Sequence, residues 1–412
     1  MLKHIFSISI FAAAALHAAD IYVDYNNGSG KNPGTKDAPL RYIYQAAKKA
    51  QPGDTVYILP SPAPIKDNFK ITNINGTPDK PIIFDGMNNI FTGAEPLKDS
   101  EWKEIKPGYF SKKIVTGKNW SHRFYMIFNG KINRMGRIQK SPGAARYKKV
   151  DELAPGEWTV LFGAEVPSNN IHHKQFETEY VVRLPQGATS LKDSGVEVPN
   201  VRKPSGVQIY GKNKYVIFRN LFVKNFYNDG YNIHGDSQNI GFENVAAVDC
   251  GDDAISAHSA CSINVKNLVA IGCSTAICHI NKTVCTHENV YAEKIIGREL
   301  FLLHDSRNVL KNVYMFADSY SGSCWESRKK TEHQIGNLEN IYIISRNPKA
   351  KFNISSRGVV ELKAANVKIA GFADVMKLDG VTAVDKNEIL EKISAAKKEL
   401  FALFGGNLEK AL

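Results

Sequence analysis

The sequence predicts an all-β protein built as a parallel β-solenoid, and three observations predict it. Seven asparagines (Asn220, Asn244, Asn267, Asn289, Asn312, Asn340 and Asn366) recur at steps of 24, 23, 22, 23, 28 and 26 residues. The first six share one frame, a charged residue before and an aliphatic one after, as in Arg219-Asn220-Leu221 and Glu243-Asn244-Val245. Val/Ile-rich runs of strand length lie between them. A repeat of that length is one turn of a solenoid, each turn burying its apolar face only against its neighbours. Residues at equal phase then stack about one strand spacing (~4.8 Å) apart.

The elements follow in chain order. Residues 1–19 read as a secretory signal: Lys3 supplies the positive charge, 5–16 is apolar, and Ala18 and Ala19 are small. That run is too short to span a bilayer, and no later run is long enough. A secreted or periplasmic protein is expected. Residues 20–110 form an N-terminal cap and the first turns. Here 21–25 is a strand, and Leu40, Ile43, Ala46, Ala47 and Ala50 keep helical spacing before the strand 55–59. Such a helix covers the open end of a solenoid, which otherwise leaves strand edges unpaired. Residues 111–205 lose the period and read as a β-rich insertion, and 206–372 carry the ladder. Within 373–412, Asp385 with Glu388 opens a helix whose face is Ile389, Ile393, Ala396, Leu400 and Phe404. It packs over the far end or along the side.

The 412 residues are 43% hydrophobic with a net charge of +12, or +11 once Lys3 leaves with the signal. An excess of that size favours polyanions. No compact basic segment interleaved with aromatics marks a nucleic-acid site, so an acidic polysaccharide is the expected partner. Six cysteines fall between 250 and 324. Cys250/Cys273 and Cys261/Cys285 stand on adjacent turns, where disulfides and stacked thiols are both open.

Counting from the ladder gives columns. Asp229 and Asp253 both stand nine residues after an asparagine, and His234 and His258 both stand fourteen after. Between them Tyr231/Ile233 and Ile255/Ala257 alternate inward. The next turn reads with Cys278 and Ile280 inward and His279 outward. A one-residue slip after Asn289 puts Phe301 and Leu303 inward, Glu299 among the acids and His304 among the histidines. One outer strip then gathers Asp229, Asp252, Asp253, Glu299, His234, His258, His279 and His304. Stacked like charges repel, and they raise one another's pKa, which keeps a general acid protonated near neutrality. The plain alternative is that Asp229 and Asp252-Asp253 are turn residues. A metal site built from these His and Asp residues is a third option.

These residues resemble the pectate-lyase-like superfamily of right-handed parallel β-helix proteins, over 207–372 and at Gly76-Thr-Pro-Asp-Lys-Pro-Ile-Ile. Asn228-Asp229-Gly230, then Gly251-Asp252-Asp253 one turn on, looks like the polygalacturonase pattern of Asn-x-Asp and Gly-Asp-Asp. The resemblance implies a glycoside hydrolase in which Asp229 and Asp252 serve the attacking water and Asp253 is the acid. His258, or the segment Cys278-His279-Ile280, stands where the family's Gly-His-Gly is missing, and Arg328-Lys329-Lys330 stands three turns on for its Arg-x-Lys. The catalytic set is therefore Asp229, Asp252, Asp253 and His258. Substrate contacts fall to His234, His279, Glu299, His304, Arg298, Arg328 and Lys330. No cofactor or metal is expected for hydrolysis. In a polysaccharide lyase or epimerase on the same fold the carboxylates, or a bound Ca²⁺, would acidify the C5 proton of a uronate for a Lys, Arg or His to abstract, and a non-catalytic glycan-binding protein would use the basic face alone.

Overall fold

The computed structural model describes residues 18–117, 123–133, 147–167, 174–318, 324–327 and 329–412. The expected signal segment therefore lies almost wholly outside the described residues, as does Arg328. Among the described residues, no helix is long and apolar enough to cross a membrane.

Two long parallel sheets form the body. One has eleven strands, running from Asp20–Val23 to Val381–Ala383; the other has nine, from Phe69–Thr72 to Asp374–Val375. Strands of one sheet pair at intervals of one turn, as Phe218↔Phe242, Phe242↔Val265 and Val265↔His287. The fold is a parallel β-helix, with the right-handed sense that parallel crossover connections adopt.

The ladder asparagines explain how one strand serves two walls. Each lies inside a long strand, such as Lys214–Lys224 or Gln238–Val248, with φ between 51° and 62°. That left-handed conformation penalises most side chains, and asparagine tolerates it. The bend shifts the inward phase, so Val216 and Phe218 are buried before Asn220 and Leu221 and Val223 after it. Every amide Nδ2 donates to the Oδ1 of the asparagine one turn earlier, at 2.8–3.1 Å from Asn244 through Asn366. Asn220 ends the column on Asp85 Oδ1 at 3.1 Å. Asn267→Ala removes two of these bonds and puts alanine at φ 62°. The expected loss is about 2–4 kcal/mol, read as a lower urea midpoint. Asn267→Gly spares the backbone term and should lose about 1 kcal/mol less; equal losses would remove the left-handed strain from the account.

A continuous apolar core fills the solenoid, with the stacked Phe84–Phe218–Phe242 rings at 5.4 and 5.5 Å. The helix Ile43–Lys49 closes the N-terminal end through Ile43, Ala46 and Ala47. The helix Lys386–Ala402 lies along the side, as its apolar face packs on Phe222, Ala246, Val269 and Tyr291 of the eleven-stranded sheet. Asp385 caps it by accepting from Asn387 N at 2.8 Å, while Glu388 turns away to pair with Lys368.

The insertion starts earlier than its lost period suggests. Ala94–Pro96 and Lys103–Lys106 already belong to its two four-stranded antiparallel sheets, completed by Tyr109–Gly117, Met126–Phe128, Lys131–Asn133, Trp158–Val166, Gln175–Arg183 and Val196–Pro199. It has its own core around Phe124, Trp158 and Tyr180. It docks on the solenoid by hydrogen bonds: Tyr125 donates to Asp249 O at 2.6 Å, and the Thr116 and Tyr227 hydroxyls meet at 3.1 Å. Cys250, Cys261, Cys273, Cys278 and Cys285 are buried free thiols, so the stacked-thiol alternative holds at both expected pairs.

Candidate active site

Four strands of the nine-stranded sheet build the site: Tyr231–Ile233, Asp253–His258, Thr275–Ile280 and Arg298–Leu303. Two inward columns hold them in register, Tyr231–Ile255–Ile277–Leu300 and Ile233–Ala257–His279–Leu302. The alternate positions Asn232, Ser256, Cys278 and Phe301 face outward in a third column. At the strand starts Ala254 and Ile255 both enter the core, and Ala276 and Ile277 do likewise. This irregularity turns Asp253 to the same face as Ser256, which strict alternation from Ile255 would forbid.

The three aspartates come together, with one oxygen from each within 4.8 Å of the others. Asp229 is 2% exposed and Asp253 6%, whereas Asp252 is half-buried. Asp229 Oδ2 accepts from Asn228 Nδ2 at 2.9 Å and from Asn232 Nδ2, and its Oδ1 accepts from Asp253 N at 3.1 Å. Burial pushes its carboxyl up to about 7, with the Asp252 charge adding to it, against Arg123 and these donors. Burial, then the charges of Asp252 and Asp229, hold Asp253 well above the usual carboxylate range, while a hydrogen bond from Cys278 opposes them.

Arg123, from the insertion, pairs with Asp252 and donates to Asn228 Oδ1 at 2.5 Å. Gly251 makes this approach possible. A Cβ there would lie 2.1 Å from Tyr227 O and 2.5 Å from Arg123 O, so any side chain would push the insertion off the site.

The histidine column is two residues long. The His234 and His258 rings stack at 4.4 Å and 5°, and Tyr210 extends the stack at 5.6 Å. His258 Nε2 lies 2.7 Å from Ser256 Oγ. Burial, then the neighbouring His234, lowers His258 to about 4, so it is neutral near pH 7 and serves as a hydrogen-bonding ring rather than a cation.

The other expected residues stand elsewhere. His279 points into the core, with its Nε2 2.8 Å from His287 Nε2, and is fully buried. The slip lies at the Asn267 turn, whose inward residues Ile277 and His279 come ten and twelve residues on; the Asn289 turn returns to eleven and thirteen with Leu300 and Leu302. Glu299 therefore leaves the acid column and is fully buried, accepting from Asp318 N at 3.0 Å. Arg298 takes its place in register with Thr275 and Asp253, its guanidinium 4.4 Å from the centre of the Phe301 ring. His304 is one residue past the column, its Nδ1 2.9 Å from Glu332 Oε1. Lys330 is exposed near that same turn.

Arg123, Asn232 and Ser256 complete the cluster without having been singled out for it, and Cys278, expected inward, joins them in the outward column. Asn232 and Ser256 share the outward phase, twelve residues after a ladder asparagine, so the column count contains them. Arg123 left no such signal, because the insertion has no period.

No protein-family model and no curated protein matches the chain. Among solved structures it is similar to XylC in complex with xylose, at 12% identity over 87% of this chain and 70% of that one, with a TM-score of 0.48. It is also similar to a glycoside hydrolase (9%, 88% and 97%, TM-score 0.43) and to pectate lyase Pel9A (11%, 85% and 80%, TM-score 0.36). At these identities the chemistry of this chain has to be argued from its own site.

Proposed function

We propose that the chain is a carbohydrate-active enzyme that hydrolyses an acidic polysaccharide at Asp229, Asp252 and Asp253. The observation that carries this reading is the packing of three carboxylates within 4.8 Å on one face of the sheet, one of them paired with an arginine from a separate subdomain. Structural aspartates in turns do not need such company.

In the proposed mechanism Asp253 gives its proton to the glycosidic oxygen, and the leaving sugar departs as an alcohol. Asp252, oriented by Arg123, takes a proton from the water that adds to the anomeric carbon. Asp229 positions both, through Asp253 N and through the Asn228 amide that Arg123 also grips. Tyr210, His234 and His258 form a flat wall for the sugar. The net charge of +12, with Arg298 in the Asp253 column two strands away (~10 Å), favours uronate or sulfated polymers.

One observation favours β-elimination as a second reading. The oxygens are closer than the ~6.5–9.5 Å that inverting hydrolases leave between their carboxyl groups. Clustered carboxylates of this kind also suit Ca²⁺, one of the two groups with which a lyase could acidify the C5 proton. Arg123 already neutralises Asp252 and competes with that ion, so the donor set fits Ca²⁺ poorly and hydrolysis is preferred.

A screen of pectic, alginate-like and sulfated polysaccharides tests both. Hydrolysis yields new reducing ends without ultraviolet absorbance, whereas elimination yields an absorbing C=C bond. Binding without either product would return the chain to the non-catalytic glycan-binding alternative.

A further inference from the structure

Cys278 is set apart from the other described thiols. Cys250, Cys261, Cys273 and Cys285 belong to the apolar core inside the solenoid, but Cys278 does not. It sits in the outward column beside Ser256, only 2% exposed, and its thiol donates to the Asp253 carboxyl. His258 stands at the end of the strand that Asp253 begins, and its ring is oriented by the Ser256 hydroxyl at 2.7 Å. One donor atom each from Asp253, His258 and Cys278 lies within 4.8 Å of the other two.

We propose that Cys278, His258 and Asp253 form a binding site for a thiophilic divalent cation of the Zn²⁺ class, water completing a four-coordinate shell. One sulfur, one imidazole nitrogen and one carboxylate oxygen are the mixed donors that Zn²⁺ takes at about 2.0–2.3 Å, and three protein ligands with one open position is the pattern of its non-structural sites. Ligands at those bond lengths stand roughly 3.5 Å apart, so the side chains need close in by little more than about 1 Å at most. The donor chemistry excludes Ca²⁺ and Mg²⁺, which take oxygen sets. Binding forms metal–sulfur, metal–nitrogen and metal–oxygen bonds, and the thiol proton, with that of Asp253 where it carries one, leaves to solvent.

The consequence for turnover rests on the reading of Asp253 as the acid: with its oxygen on the metal it has no proton to give, and the cation acts as an inhibitor. The site itself rests only on the three side chains.

Co²⁺ titration of the full chain reads the site directly, because a cobalt–thiolate bond produces an ultraviolet charge-transfer band. One equivalent of Co²⁺ should raise the band, and Zn²⁺ should displace it. Cys278→Ser should abolish it, His258→Ala should weaken Co²⁺ binding at least about tenfold, and Cys273→Ser, a thiol inside the core, should leave it unchanged. Circular dichroism of each variant confirms folding. Absence of the band from the wild type, or its persistence in Cys278→Ser, overturns the proposal. Asp252→Asn, outside the three ligands, separates the two readings: it should keep the band and lose turnover. A variant that keeps both sinks the catalytic assignment of Asp252 while the metal site stands.

Discussion

Asp253→Asn should lower kcat about 10²–10⁴-fold, with KM nearly unchanged. The substitution is isosteric, and the asparagine oxygen still accepts the Cys278 thiol, so the fold around it should persist. What disappears is a proton held where the glycosidic oxygen needs it. Burial and two neighbouring carboxylates keep that proton on Asp253 far above the pH at which an exposed aspartate releases it. The role has a sharper signature than the rate loss alone. An aryl glycoside of the same sugar has a leaving group that departs without protonation, so Asp253→Asn should lose much less on it than on the polysaccharide. Initial rates on the two substrates decide the matter; equal losses would give the acid role to another group, with Asp229 next in line.

The sequence carried the solenoid because its repeat is enforced by a backbone conformation. Each turn needs a residue that tolerates a left-handed bend, and asparagine at that place also bonds to its neighbour above and below, so the repeat is printed in one residue type. The aspartates were legible for the same reason: Asp229 and Asp253 keep equal distances from Asn220 and Asn244. The next turn is one residue shorter between its asparagine and its inward strand, and nothing in the local composition marks the change. Ile277 and Ile280 are both apolar, so either could be read as inward, and the wrong choice exported His279 to the surface and turned Cys278 into the solenoid core, which it does not join. That single residue also displaced Glu299 and His304. Arg123 was beyond any column, because the insertion that carries it reaches the site through tertiary contacts alone, at Tyr125, Thr116 and the Gly251 approach.

Asp229→Asn should make the protein more stable at pH 8 and leave it unchanged at pH 4. The folded protein holds the Asp229 carboxyl at about 7, whereas the unfolded chain releases the proton near the ordinary value of ~3.9. Between those values the folded state binds a proton that the unfolded state has lost, so stability from this group is whole below pH ~4 and falls as pH rises towards 7. The difference of roughly three units corresponds to about 4 kcal/mol at most, and about 2–4 kcal/mol is the expected gain once the buried charge is gone. Asparagine can occupy the place at the loss of one bond, since Asn228 Nδ2 gives up this acceptor and keeps Ser205 Oγ at 3.3 Å. The new side-chain oxygen accepts from Asp253 N, and Asn232, whose Oδ1 is buried without a partner, can turn its amide to accept from the new Nδ2. The buried histidines His258, His279 and His287 are held below their usual range and destabilise the fold in acid, but they do so in both proteins and cancel from the comparison. Urea midpoints of the two proteins at pH 4 and pH 8 measure the effect. If Asp229→Asn is stabilising and also slows turnover, the chain is keeping a costly buried carboxylate for its chemistry, as active sites do. Loss of stability at both pH values would instead make Asp229 a structural hydrogen-bond acceptor, and the cluster would shrink to Asp252, Asp253 and Arg123.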